Sequence, residues 1–387
     1  MQRDRIQIGI LFSTTGPYAT IGRAMRNGAE LAVDELNADR SFPFVIETVE
    51  ADPGGCDANY AAAACRLLRD DHLDHVVGCY TSSSRKEILP LFEKHDALLW
   101  YPSHYEGFES NENVVYTGAA PNQHIVPLAD YMLANHGHRA YCVGSNYIWA
   151  WENNKIMREA VLGAGGTVLA ERYFPVGETD FEAVIEQILT LRPSFIFNTL
   201  IGVSAYAFFR ALRKAAIDCG IDQPRSLPVA SCSLSEPELV EIGPEACDGH
   251  VSSSVYFASV AGRANEAFVE AYSRRFPDAG PTSADAESSY IAVHLLGRAM
   301  QKAGSSCLRA VRGALSSAAM DAPQGPVRLD PANRHCYLTP RIGLSNKAGG
   351  FDLLYEAAHP VKPDPYLVEH DAMTQFARGR ARLRLVK

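Results

Sequence analysis

Apolar positions along this chain recur in two alternating rhythms. Residues 6–12, IQIGILF, form a short apolar run of strand character. Residues 20–38 then place Ile21, Met25, Ala29, Ala32, Val33 and Leu36 at helical spacing, with Arg23, Arg26, Asp34 and Glu35 on the opposite face. The pattern continues as strand over 44–51, helix over 58–70, strand over 75–80, helix over 84–95 and strand over 97–101. Ser84 and Glu87 carry the Ser-x-x-Glu spacing of a capping box, which predicts where the third helix begins. Pro90 is expected to kink or shorten that helix, because it removes one backbone donor.

The alternation resumes after TGAAPNQ (117–123) with helices over 124–135, 151–163, 180–190 and 203–216. Strands over 140–145, 167–174, 194–200 and 227–231 separate them. Strands alternating with helices of this length predict βαβ units and parallel sheets, here as two similar α/β lobes. A strand over 249–257 and helices near 262–275, 285–302 and 307–316 follow. Beyond APQGP (322–326) the pattern changes to short strands, as in RIGLSNKAGGFDLLYE.

Composition narrows the function classes. The 387 residues, 47% apolar and 21% charged, supply material for about two globular domains. With 36 basic against 45 acidic residues the net charge is −9, which argues against direct nucleic-acid binding. The one basic run, RGRARLRLVK at 378–387, reads as a solvated tail or a last strand. No stretch approaches the length of a membrane span, and the first apolar run is too short for a signal-peptide core. Nine cysteines without a CxxC pair suit a reducing compartment. A cytoplasmic location is therefore expected, with a periplasmic one if a signal peptide has been removed. Pairing of Cys56 with Cys79 stays open.

Catalytic signatures are missing: there is no GxxxxGK[ST], no GxGxxG after a strand, no GxSxG and no HExxH. GAGG at 163–166 reads as a helix C-cap, and DDHLDH at 70–75 as a solvated helix exit rather than a metal site. No enzyme, metal or cofactor is expected. Instead, polar and aromatic residues gather just past the C-terminal ends of strands. Tyr80 to Ser83 follow one, Tyr101, Ser103 and His104 the next, Asn146, Tyr147, Trp149 and Trp151 a third, and Ser231, Ser233 and Ser235 a fourth. Ligands of open α/β sheets bind outside those ends. Two facing lobes would enclose a cleft lined by rings and hydroxyls.

The run IGILFSTTGPYATIGRAMRNGAELAVDELNAD resembles the opening of type I periplasmic binding proteins. VGCYTSSSRKEILPLFEKHDALLWYPSHYEGFESNENVVYTGAAPNQ is more specific. It is similar to the amide-sensing negative regulators of aliphatic amidase operons, and secondarily to the urea and short-chain amide receptors of ABC uptake systems. GSNYIWAWENN, FNTLIG, ASCSLSEPEL, DAPQGPVRLD and PDPYLV extend the resemblance over nearly the whole chain. It implies two doubly wound parallel-sheet lobes joined by three crossovers, about 1–120 with 252–326 and 121–251 with 327–387. The crossovers would fall in TGAAPNQ, near Ser252 to Ser254, and near Gly325.

The resemblance also implies that a small amide or urea-like molecule lies against Tyr80 and Ser82, bordered by Tyr101, Ser103 and His104. Tyr147 and Trp149 would face it from the second lobe, with Ser233. Ser83 and Thr81 either contact ligand or cap the helix. Trp149 stands where the family usually has Tyr, His104 where it often has Pro, and Ser103 where it often has Thr. An amino acid ligand would need an acidic residue for its ammonium group, and Glu106, Glu109, Glu152 and Glu236 lie near the cluster ends. The implied role is a ligand-responsive sensor and negative regulator acting on an RNA-binding antitermination partner. The alternative is the substrate-binding component of an ABC transporter for urea, short amides or branched-chain amino acids. A homodimer is left open.

Overall fold

The structure, a computed structural model, describes residues 3–369; the basic run at 378–387 lies outside them. Strands β1 (Asp4–Leu11), β2 (Phe44–Ala51), β3 (His75–Gly78), β4 (Leu98–Tyr101) and β5 (Val114–Tyr116) form one sheet in the order β2-β1-β3-β4-β5. Every pairing in it is parallel. Helices α1 (Ala19–Ala38), α2 (Asp57–Cys65) and α3 (Ser82–His95) connect these strands. β5 is one short strand that the periodicity did not resolve: three residues are too few to show a period.

Helices α4 (Ile125–Asn135), α5 (Ile148–Gly163), α6 (Glu182–Leu191), α7 (Val203–Asp218), α8 (Gln223–Ser226) and α9 (Glu236–Ile242) alternate with β6 (Arg139–Ser145), β7 (Thr167–Phe174), β8 (Phe195–Thr199) and β9 (Val229–Ser231). The second sheet runs β15-β14-β10-β9-β8-β6-β7, where β10 is Val251–Ser254, β14 Arg341–Ser345 and β15 Phe351–Glu356. Ser252 to Ser254, near which a crossover is expected, close β10, which pairs with both β9 and β14.

The chain then returns to the first sheet through α10 (Arg263–Arg275), α11 (Ala284–Ala303) and α12 (Leu308–Ala314). Gly28 makes this return possible: a Cβ there would stand 1.9 Å from the Ala286 carbonyl oxygen, so its absence lets α1 and α11 touch backbone to backbone. β11 (Ala319–Ala322), β12 (Gly325–Leu329) and β13 (Cys336–Tyr337) form a small antiparallel sheet. Buried Arg341 ties the crossing segments together by donating to the carbonyls of Val255, Thr339 and Gln324.

Two local expectations are corrected. The third helix starts at Ser82, not Ser84, and its cap is Thr81, whose hydroxyl oxygen accepts from the Ser84 N–H at 3.2 Å. Pro90 does not shorten it. α3 continues to His95, because Pro90 and Lys86 are both exposed and water can serve the carbonyl that lost its donor. All nine cysteines are free, with Cys79 buried and Cys56 exposed.

Candidate functional site

The C-terminal ends of the two sheets face one another, and the structure closes them together. The loop after β1 meets the loop after β8, where the Val203 N–H donates to the Pro17 carbonyl at 3.0 Å. Thr20 of α1 donates to Glu241 of α9 at 2.8 Å. Between these contacts and the crossing segments lie two adjoining cavities of about 20 and 10 Å³. His104, Cys232, Ser254, Ala284 and Asp285 border both. Each holds about one water-sized body.

The expected residues divide into a lining and a wall. His104 lines both cavities and Ser233 lines the smaller one, where the Ser231 hydroxyl accepts from the Ser233 N–H at 3.1 Å. Trp149 is buried, its ring 5.3 Å from that of His104 and 6.2 Å from that of Tyr147. Tyr80 is buried beside Tyr18 at 5.3 Å, and its carbonyl accepts from the Tyr101 hydroxyl at 3.0 Å. Ser103 donates to the Cys79 carbonyl at 3.4 Å. Ser83 turns aside, toward Thr81 at 3.2 Å and Asp57 at 3.3 Å.

Ser82 is more constrained than a free ligand hydroxyl. It bonds the Glu106 carboxylate and accepts from Arg85 at 3.2 Å. Arg85 is fully buried, paired with Glu106 at 3.1 Å and Glu109 at 2.8 Å, and stacked on Tyr101 and Tyr105 at 4.6 and 4.8 Å. Burial pushes the Glu109 carboxyl up, but Arg85 and Lys86 outweigh it and hold it at about 2. Glu106 and Glu109 therefore already have their cation, and Glu152 pairs with Lys155 at 3.5 Å. Of the four acids considered for an ammonium group, Glu236 alone lines a cavity.

Sequence reasoning missed Asp285. It sits in the first turn of α11, two residues past the Ser283 cap, where an acid reads as a complement to the helix dipole. Only the fold carries it to β9 and α9. Burial pushes Asp285 and Glu236 each up to about 7. Burial also lowers the His104 and His124 imidazoles to about 3 and 4, so both are neutral. Among the described residues no lysine or arginine borders either cavity. The site can accept hydrogen bonds strongly, and it offers no positive charge to an anion.

The family model for the periplasmic binding protein domain matches residues 6–372. The leucine-, isoleucine-, valine-, threonine- and alanine-binding protein of Pseudomonas aeruginosa is 23% identical over 343 residues, covering 85% of this chain and 87% of that one. An ABC-transporter solute-binding protein from Rhodopseudomonas palustris, solved with p-hydroxybenzoic acid, superposes with a TM-score of 0.84 at 20% identity. That match covers 95% of this chain and all of the other. A branched-chain amino acid transporter substrate-binding protein from Streptococcus pneumoniae, solved with isoleucine, gives 0.79 at 22% identity, over 93% and 100% of the two chains. The chain belongs to the periplasmic binding protein family and has its two-lobe α/β fold. Among the described residues no helix is long and apolar enough to cross a membrane.

Proposed function

We propose that this member of the family is the solute receptor of an ABC uptake system, and that its lobes close over a short amide or urea-like molecule. The observation that carries this reading is the size and chemistry of the closed cleft. Its two cavities of about 20 and 10 Å³ suit a ligand of a few non-hydrogen atoms once nearby side chains yield slightly. Leucine or a hydroxybenzoate is far larger and brings a carboxylate, for which the lining provides no cation. An amide or urea presents N–H groups to Asp285, Glu236 and the serine hydroxyls. In this reading His104 and Ser233 touch the ligand, while Tyr80, Ser82, Tyr101, Ser103, Tyr147 and Trp149 shape the wall behind them. Ser83 belongs to the helix cap.

The transport role is supported by the solute-binding relatives from Rhodopseudomonas and Streptococcus. A second reading, a cytoplasmic amide sensor acting on an RNA-binding antitermination regulator, is favoured by the cysteines. Cys56, Cys219 and Cys307 are exposed free thiols, which an oxidising compartment would not keep reduced. An export signal in the gene's native start separates the two roles. The ligand class is tested by thermal shift with acetamide, urea, butyramide, leucine and 4-hydroxybenzoate. A ligand at 100 times its Kd stabilises the closed protein by about 2.7 kcal/mol. A response to leucine or hydroxybenzoate alone would overturn the amide reading.

A further inference from the structure

Two carboxylates face the cleft cavities from opposite sides, and neither has a cation among the described residues. Asp285 comes from the first turn of α11, which packs on α1; Glu236 opens α9, which follows the second sheet's β9. Both line the smaller cavity, and they are 5% and 1% exposed. Glu236 Oε1 accepts from the Ala258 N–H at 2.7 Å, while Glu236 Oε2 is buried with no partner. Its neighbour Glu238 differs: its carboxylate closes a capping box with Ser235, at 3.0 Å to the N–H and 3.1 Å to the hydroxyl. A capping role thus explains Glu238 and leaves Glu236, a cavity-lining residue, with one buried oxygen unpartnered.

Among the described residues the other fully buried carboxylates have company. Glu106 and Glu109 have Arg85, and Glu287 receives both the backbone and side-chain N–H of Gln324. The groups facing Asp285 and Glu236 from the surrounding elements are Glu238, Tyr80, Tyr206, Tyr256 and the neutral imidazole of His104. None is positive. Like charge from Asp285 adds to burial in raising Glu236, so a positive charge between the two favours ionisation of both.

From this geometry we infer that the ligand is a compact planar monocation, a guanidinium or amidinium, held between Asp285 and Glu236. The inference rests on the compact-ligand reading above and sharpens it from neutral to charged. A planar guanidinium or amidinium offers N–H pairs in a fork that matches carboxylate oxygens on two sides. It has the same shape and heavy-atom count as urea or acetamide, so it fits the same space. An ammonium group lacks that fork.

Isosteric pairs give the test. Guanidinium and urea, and acetamidinium and acetamide, are titrated calorimetrically into the full chain at pH 8 and matched ionic strength. The cation is expected to bind at least tenfold more tightly than its neutral isostere. Asp285→Asn and Glu236→Gln, checked for unchanged melting, are expected to weaken guanidinium at least tenfold while urea changes less than threefold. The wild-type comparison stands even if a variant fails to fold. Equal or tighter binding of urea or acetamide overturns the inference and leaves the amide reading intact. Binding of none of the four overturns both.

Discussion

The Val203 N–H, in the first turn of α7, donates to the Pro17 carbonyl at 3.0 Å and so bonds the loop after β8 to the loop after β1 across the cleft. Gly202, next to it, has φ +56°. A Cβ at Gly202 would stand 2.1 Å from the Pro17 oxygen. This close approach joins the two lobes, so opening them would break it. Gly202→Ala is therefore expected to oppose closure by about 1–3 kcal/mol, as overpacking does. Ligand affinity should fall roughly five- to 150-fold, with a smaller effect on the ligand-free melting temperature. Calorimetry and melting together check this; unchanged affinity would mean that the ligand is bound without this contact.

The buried Arg85 pairs predict a ranked stability loss. Arg85→Met leaves Glu106 and Glu109 in the interior with only Lys86 nearby, at 3.7 and 2.9 Å. Removing one partner of such a cluster costs about 3–5 kcal/mol. Ser82→Ala deletes one hydroxyl from the same cluster and should cost about 1–3 kcal/mol. Heat is the right probe, since urea and guanidinium are candidate ligands. A larger melting loss in Ser82→Ala than in Arg85→Met would show that the ion pairs are not what holds this corner.

Stability should peak in mildly acidic solution. Burial lowers His75, His124, His250 and His335 to about 4 and His104 to about 3. Their folded pKa values lie below the unfolded value, so their contribution is complete above about pH 6.5 and is lost as pH falls toward 4. Burial raises Asp130 to about 6, Asp285 and Glu236 to about 7, and Glu238 and Glu287 to about 8. These have folded values above the unfolded ones, so their contribution is complete below about pH 4 and is lost as pH rises toward 8. The two sets oppose one another between about pH 4.5 and 6.5. Melting temperature of the ligand-free protein should be highest in that interval and decline on both sides, toward pH 8 and below pH 4.5. A profile rising steadily from pH 5 to 8 would contradict it.

Much of this architecture was legible in the alternation of periods, because buried parallel strands and amphipathic helices each impose their own spacing. The placement of Tyr80, Tyr101, Tyr147 and Trp149 at or just past strand ends was also legible, since the alternation marks where each strand stops. What was hidden depends on contacts between distant segments. Asp285 reads locally as a first-turn acid, and Ser82 as a free hydroxyl, until the fold brings Glu236 to the one and Glu106 to the other. The Thr81 cap was obscured by four consecutive hydroxyl residues, any of which has capping chemistry.

Trp149 is the residue through which ligand length should be set. It does not border the cavities; it backs His104, with ring centroids 5.3 Å apart, and is itself pinned by Tyr147 at 6.2 Å. His104 borders both cavities, so the position of its ring fixes how far a ligand chain can extend. Trp149 is 2% exposed and its indole N–H is buried without a partner, so it is held by packing alone. Trp149→Tyr removes ring volume behind His104 and lets the imidazole retreat. Each methylene admitted and buried is then worth up to about 0.8 kcal/mol. Butyramide, two methylenes longer than acetamide, should gain by up to roughly tenfold relative to acetamide in the variant. The same shift is expected for the corresponding amidinium pair if its charged end is held at Asp285 and Glu236. Titrating both ligands into both proteins decides it. An unchanged butyramide-to-acetamide ratio in a folded Trp149→Tyr protein would mean that another wall limits the chain.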